Sequence, residues 1–291
     1  MSRSIDLMHL GRERVICAFE VNGLVVDPGP SSCVETLLDG LESEPRALLL
    51  THVHLDHAGA AGVLARRNPA LQVYVHERGA PHVADPSKLV ASAGRLYGDR
   101  MEELWGEVAP VDRERIHILE GGETVEDTFH VTYTPGHASH HVSYLDTATG
   151  EAYVGDVAGV RLPPHEYIVP PTPPPDIDID RWLASIDLIA GLEPQALNLT
   201  HFGRFTDVPE HLERTREALS LRARKSHELS AEQFAEWSEA ETRAAVDFDT
   251  AEALVQAAPP DQLGMGLRRY WDKVAPSAGN RLGRVRSEAS R

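Results

Sequence analysis

Leu48-Leu49-Leu50-Thr51-His52-Val53-His54-Leu55-Asp56-His57-Ala58-Gly59 is an apolar run that ends in four ligating side chains packed into six residues. Ala47 to Leu50 reads as a short buried strand, so the cluster stands at its C-terminal end. His52 and His54 flank Val53, and in an extended loop side chains repeat every two residues, so both imidazoles face one side. The turn at Asp56-His57 offers two more ligands in another direction. One ion cannot comfortably take four ligands from so short a loop, and two adjacent ions are the easier solution.

Three later residues extend the set. His137 in Tyr133-Thr134-Pro135-Gly136-His137, Asp156 in Tyr153-Val154-Gly155-Asp156 and His201 in Leu199-Thr200-His201 each follow a strand-like run. Histidine and aspartate suit zinc, with iron or manganese as alternatives, and the lack of thiolates argues against copper(I). A bound divalent ion lowers the pKa of water from 15.7 to about 7, so the expected chemistry is activation of water. Thr51 and Thr200 precede two of the histidines and are candidates to orient them.

The rest of the chain frames this cluster. Val15, Cys17, Phe19 and Val21 alternate as in a strand, and a turn follows at Asn22-Gly23. Ser31 and Ser32 are expected to cap a helix ending near Gly40. Residues 57–67 read as one helix and residues 76–109 as a helical excursion. A second run of strands carries His137 and Asp156. The proline-rich stretch at 162–178 can be neither helix nor central strand. A helix with Trp182, Ile186 and Ile189 follows, capped by Asp180 or a neighbour, and residues 196–202 read as the last strand. From 207 onward the pattern is helical. The order of strands, helices, strands and helices predicts two sheets flanked by helices. Residues 1–206 are expected to form the catalytic domain and 207–291 a helical extension, with a flexible tail from about 276.

Composition narrows the function. There are 28 basic and 45 acidic residues, a net charge of −17, which disfavours nucleic acid as a partner. Two cysteines without CxxC spacing exclude a cysteine zinc site. The first residues lack the apolar stretch expected of a signal peptide and no apolar run approaches the length of a membrane span, so the expected location is cytoplasmic and away from membranes.

The motifs together resemble the metallo-β-lactamase-fold hydrolase superfamily. Residues 51–59 match its signature loop, Thr134 to His141 its second motif, Gly155-Asp156 its bridging aspartate and Thr200 to Gly203 its last histidine. Val25 to Gly29 also match. The resemblance implies an αββα sandwich, an α/β fold, with two metals at one edge. It implies that His52, His54 and His137 bind the first ion, that Asp56, His57 and His201 bind the second, and that Asp156 bridges them. Asp56 would also orient the nucleophile. The similarity is greatest to the glyoxalase II-like and lactonase-like branch, which implies hydrolysis of a small thioester, ester or lactone. An iron oxygenase of the persulfide dioxygenase type is the alternative, ahead of a phosphodiesterase or nuclease.

Four residues beside the motifs are candidate substrate contacts: His140, Arg161, Tyr167 and Arg204. Each has a plainer role as a packed or solvent-paired side chain. Of His140 and His141, alternation on a strand would turn one inward and the other outward. Cys33 is expected to fill space, and the aspartates at 176–180 to cap a helix rather than bind calcium. The helices after 207 are expected to cover the mouth of the site or to build a homodimer interface.

Overall fold

The computed structural model describes residues 2–274; the tail expected from about 276 lies outside the described residues. One six-stranded sheet runs in the order β1 (Arg3–Asp6), β2 (Cys17–Val21), β3 (Leu24–Val26), β4 (Ala47–Leu49), β5 (Gln72–His76) and β6 (Ile116–Leu119). The other contains β7 (Thr124–Val125), β8 (Phe129–Tyr133), β9 (Val142–Asp146), β10 (Glu151–Tyr153), β11 (Ala196–Leu199) and β12 (Gly203–Phe205), with β12 and β7 at its edges. Neighbours β3 to β6 are parallel, as are β10 and β11, and the remaining pairs are antiparallel. Parallel pairing matters because it brings the C-terminal ends of successive strands to one edge.

Side-chain alternation builds the layers. Phe19, Val21, Val26 and Leu49 of the first sheet meet Phe129, Val131, Tyr144 and Tyr153 of the second in one inter-sheet core. Phe19 packs edge-on against Tyr153, with ring centroids 5.5 Å apart. The opposite parity, Ala18, Val25, Leu48 and Val73, packs with helical residues instead. The helices before the C-terminal region are α1 (Val34–Gly40), α2 (Leu55–Ala58), α3 (Ala61–Arg67), α4 (Ala80–Ala84), α5 (Ser87–Tyr97), α6 (Met101–Trp105) and α7 (Ile179–Gly191). The result is an αββα sandwich.

After β12 the chain is helical: α8 (Val208–Glu228), α9 (Ala231–Ala245), α10 (Phe248–Ala257) and α11 (Pro260–Val274). Leu212, Leu219, Phe234, Leu254 and Leu267 of these helices join the same buried cluster as Trp182 and Ile186 of α7. None of the helices among the described residues is long and apolar enough to cross a membrane.

Three local expectations are corrected. Ser31 and Ser32 cap nothing: they lie in a 3₁₀ turn, and their hydroxyls donate to the carbonyls of Gly59 and Leu104. Residues 57–67 form no single helix, because α2 closes at Ala58 and α3 opens at Ala61. The strand at 196–202 is not the last, since the chain turns at His201 and pairs back as β12. The expected cap of α7 is present at Asp178, whose carboxylate accepts from the Arg181 backbone N–H.

Candidate metal centre

All seven candidate ligands meet at one edge. His52 and His54 follow β4, Asp56 and His57 lie on α2, His137 follows β8, Asp156 follows β10 and His201 follows β11. Two turns demand glycine. Gly136 has φ +140° and a Cβ there would sit 2.3 Å from the Trp182 backbone, while Gly155 has φ +48° and would press on Thr51 and His141.

The seven fall into two groups. In the first, His54 Nδ1 lies 3.0 Å from both His52 Nε2 and His137 Nε2. Ligand atoms about 2.0–2.1 Å from one tetrahedral ion lie roughly 3.3 Å apart, so this convergence fits an ion. In the second, Asp56 Oδ2 lies 3.4 Å from His201 Nε2 and 3.8 Å from His57 Nε2. Asp156 stands between them. Its Oδ2 is 3.3 Å from His137 Nε2 and 4.0 Å from His52 Nε2, and its Oδ1 is 3.2 Å from His57 Nε2 and 3.6 Å from His201 Nε2.

Whether a cation fits is decided by the unpartnered atoms. His57 Nε2 and Asp156 Oδ1 are buried and have no aligned hydrogen-bond partner, although they are 3.2 Å apart. Leaving such atoms bare is costly, and a cation between them would satisfy both. The cluster is therefore compatible with a divalent metal site.

The outer ring nitrogens are fixed by neighbours. His57 Nδ1–H donates to Asp27 Oδ2 at 2.8 Å, His137 Nδ1–H to the Pro171 carbonyl at 2.8 Å and His201 Nδ1–H to the Val15 carbonyl at 2.6 Å. Thr51 Oγ1 lies 3.1 Å from His52 Nδ1, as expected of an orienting hydroxyl. Thr200 instead donates to Asp27, at 2.8 Å. Asp27, wholly buried, also accepts from the Thr51 backbone N–H and hydroxyl. It ties β3 to the ends of β4 and β11. These partners were missed from sequence, Asp27 despite lying in the matched Val25 to Gly29 motif, Pro171 and Val15 because any residue has a carbonyl.

Electrostatics follows from crowding. Burial would raise the Asp156 carboxyl, but His57, His137 and His201 outweigh it and hold it well below the usual range. Burial would lower His57, but Asp156, Asp56 and Asp27 raise it well above its ordinary value. Burial holds His54 down at about 4, helped by His137. The anionic charge of Asp56 and Asp156 draws positive charge to the cluster, as the raised His57 and His201 show, and is suited to a cation.

Three of the four candidate substrate residues are turned away. Arg161 is buried, donates to both Asp207 oxygens at 3.0 and 2.8 Å and lies over the Phe205 ring. The Tyr167 hydroxyl is engaged by Glu241, Thr242 and Arg222 of the C-terminal helices. Arg204 is half-exposed and paired with Glu151 at 2.8 Å. In each case a countercharge remote in sequence outcompetes the site. His140 does reach the cluster, with its ring 5.8 Å from that of His54. His141 is also buried, so the inward–outward expectation fails: His140 sits in a turn and His141 just before β9. His141 Nε2 accepts from the Asp156 backbone N–H at 3.3 Å, and its ring lies 5.1 Å from that of His52.

The pattern of the metallo-beta-lactamase superfamily matches residues 22–201, which contain every candidate ligand. The chain belongs to that superfamily. A metallo-beta-lactamase fold-containing protein of Sulfurisphaera tokodaii, ST1585, is 28% identical over 218 residues, covering 72% of this chain and 79% of that one. A crystal structure of ST1585 superposes with TM-score 0.69, 23% identity and coverage of 93% and 98% of the two chains. A family member from Thermus thermophilus, TTHA1429, superposes with TM-score 0.61 at 20% identity, covering 89% and 88%. Hydroxyacylglutathione hydrolase of Legionella pneumophila is 28% identical over 138 residues, 45% of this chain and 41% of that enzyme. The match to that hydrolase thus spans under half of its length.

Proposed function

We propose that this chain is a binuclear metal-dependent hydrolase of a small thioester, ester or lactone. The observation that carries the reading is Asp156, whose two oxygens each face one of two histidine-containing groups. His52, His54 and His137 would hold one divalent ion, Asp56, His57 and His201 the other, and Asp156 both. Nitrogen and oxygen donors without thiolate suit zinc, and iron or manganese are chemically admissible. Bound there, such ions supply a hydroxide at neutral pH and polarise a carbonyl oxygen.

The protein's own groups do the rest. Asp56 is the most exposed of the three carboxylates, at 23%, whereas Asp156 is at 4% and Asp27 fully buried. It faces entering water and can orient its proton. Hydrolysis forms one C–O bond, breaks the acyl C–S or C–O bond and leaves the water's protons shared between acid and leaving group. Asp27, the Pro171 carbonyl and the Val15 carbonyl keep the imidazoles oriented through the cycle. Leu55, Leu104 and Trp105 pack with Leu89, Tyr97 and Met101 beside the ligand loop, an apolar flank suited to a small organic acyl group. Gln262 of α11 accepts from Tyr97 at 3.3 Å, which brings the C-terminal helices to this flank. Two unpaired, buried cysteines fit a reducing cytoplasm.

The test is elemental analysis of the purified protein followed by a panel of thioesters, lactones, aryl esters and phosphodiesters. Two metals per chain and turnover confined to the carbonyl substrates is the expected result. One iron per chain with oxygen uptake on a persulfide, or turnover of the phosphodiester alone, would overturn it.

A further inference from the structure

His140 and His141 are adjacent, both buried, and stand against the same ligand group, yet their ring nitrogens are used oppositely. His141 is closed on itself. Its Nε2 accepts from the Asp156 backbone N–H, and its Nδ1 meets Thr134 Oγ1 at 2.9 Å. No ring nitrogen of His141 is left to meet a ligand.

His140 is half open. Its Nδ1 accepts the backbone N–H of Val53, the residue between His52 and His54, at 3.4 Å. In a neutral imidazole one nitrogen accepts and the other carries the proton, so this contact places the proton on Nε2. Accepting at Nδ1 requires the neutral ring. Among the described residues no hydrogen bond engages Nε2, and His140 keeps 8% of its surface exposed where His141 keeps none. The ring is parallel to His52 (centroids 6.1 Å, 13°) and edge-on to His54 (5.8 Å, 88°). His54 is the one partly exposed residue of its group; His52, His137 and Asp156 are buried.

A ring with an unengaged N–H therefore stands beside His54, the partly exposed member of the ligand group. We propose that His140 Nε2–H is an oxyanion donor: it hydrogen-bonds the carbonyl oxygen of the substrate as hydroxide adds to the carbonyl carbon and the π electrons move onto that oxygen. The proton stays on His140 throughout. Neutral imidazole is suited to this, since a preorganised donor in a dry site stabilises developing charge without reorganising. The inference rests on the carbonyl-hydrolase reading. The Val53 contact fixes the donor to the ligand loop itself, so donor and ligands hold one register.

The experiment compares His140→Phe and His140→Gln with the wild type, all metal-loaded. His140→Phe keeps ring volume without the donor; His140→Gln restores an N–H. With p-nitrophenyl acetate, His140→Phe should lower kcat about 10²-fold with KM within about twofold, and His140→Gln should recover part of the loss. Calorimetry with phenyl methylphosphonate, a charged tetrahedral mimic, should show binding weakened by a similar factor, with acetate binding and metal content unchanged. Unchanged kcat and phosphonate affinity in His140→Phe would overturn the proposal, as would loss of metal from His140→Phe and His140→Gln alike. If the wild type hydrolyses no carbonyl substrate, the hydrolase reading falls, and the phosphonate measurement still decides the role of His140. Failure of wild-type protein to bind the phosphonate counts against the donor.

Discussion

The ligand edge and the flank from Arg161 to Arg204 both carry polar side chains, and they behave differently. At the edge, seven side chains converge because strands β4, β8, β10 and β11 end together, and the backbone there leaves each few directions. On the flank, Arg161, Tyr167 and Arg204 follow Asp207, Glu241 and Glu151 away from the site. A side chain at a strand end is aimed by the sheet. A long charged or phenolic side chain on a loop is aimed by whichever countercharge packs beside it.

That contrast can be broken by substitution. The largest effect is expected from Asp156→Ala, which should abolish both metal loading and turnover, with His57→Ala losing turnover and one of the two metals, read by elemental analysis and an esterase assay. A variant with full metal and full activity would put these residues outside the site. Next is Asp27→Ala. It leaves His57, Thr51 and Thr200 without their shared acceptor, so metal affinity should fall by roughly 10–100-fold in chelator competition. Stability should drop by about 3–5 kcal/mol, read from urea unfolding.

The flank should matter for stability rather than chemistry. Arg161 donates to His211 Nδ1 at 3.1 Å while His211 Nε2–H donates to the Ala158 carbonyl at 2.8 Å. Burial, with Arg161, holds His211 down at about 4, against an ordinary 6.5. The unfolded chain therefore binds the extra proton between those values. Stability from this group is full above about pH 6.5 and is lost as pH falls toward about 4, a difference on the order of 3 kcal/mol. His211→Gln should flatten that part of the urea-midpoint profile relative to wild type; an identical slope would contradict the assignment. The smallest effect is expected from Arg204→Ala, with turnover within about twofold and stability changed by about 0.2–1 kcal/mol, as for an exposed pair. A tenfold loss of turnover would return Arg204 to the site.

The convergence of the seven candidate ligands, the sandwich and the helical C-terminal region were legible in sequence because each rests on local pattern: alternation, spacing and the histidines after apolar runs. The partners of the ligands were not. Val15 and Pro171 act through carbonyls, which carry no residue signature, and Asp27 acts across 30 positions on His57. The return of the chain into β12 was hidden because Gly203–Phe205 is three residues long, too short for alternation to register. Ser31 and Ser32 looked like caps and instead tie down the turn at Gly59 and the end of α6 at Leu104, a choice made by tertiary packing.

Asp156 is proposed as the one carboxylate that joins two metal positions. Titration of metal-free protein with zinc, followed by native mass spectrometry, tests it directly. The account predicts two equivalents per chain in the wild type, with His54→Ala and His57→Ala each losing occupancy of a different position. A wild-type chain that saturates at one equivalent would contradict it.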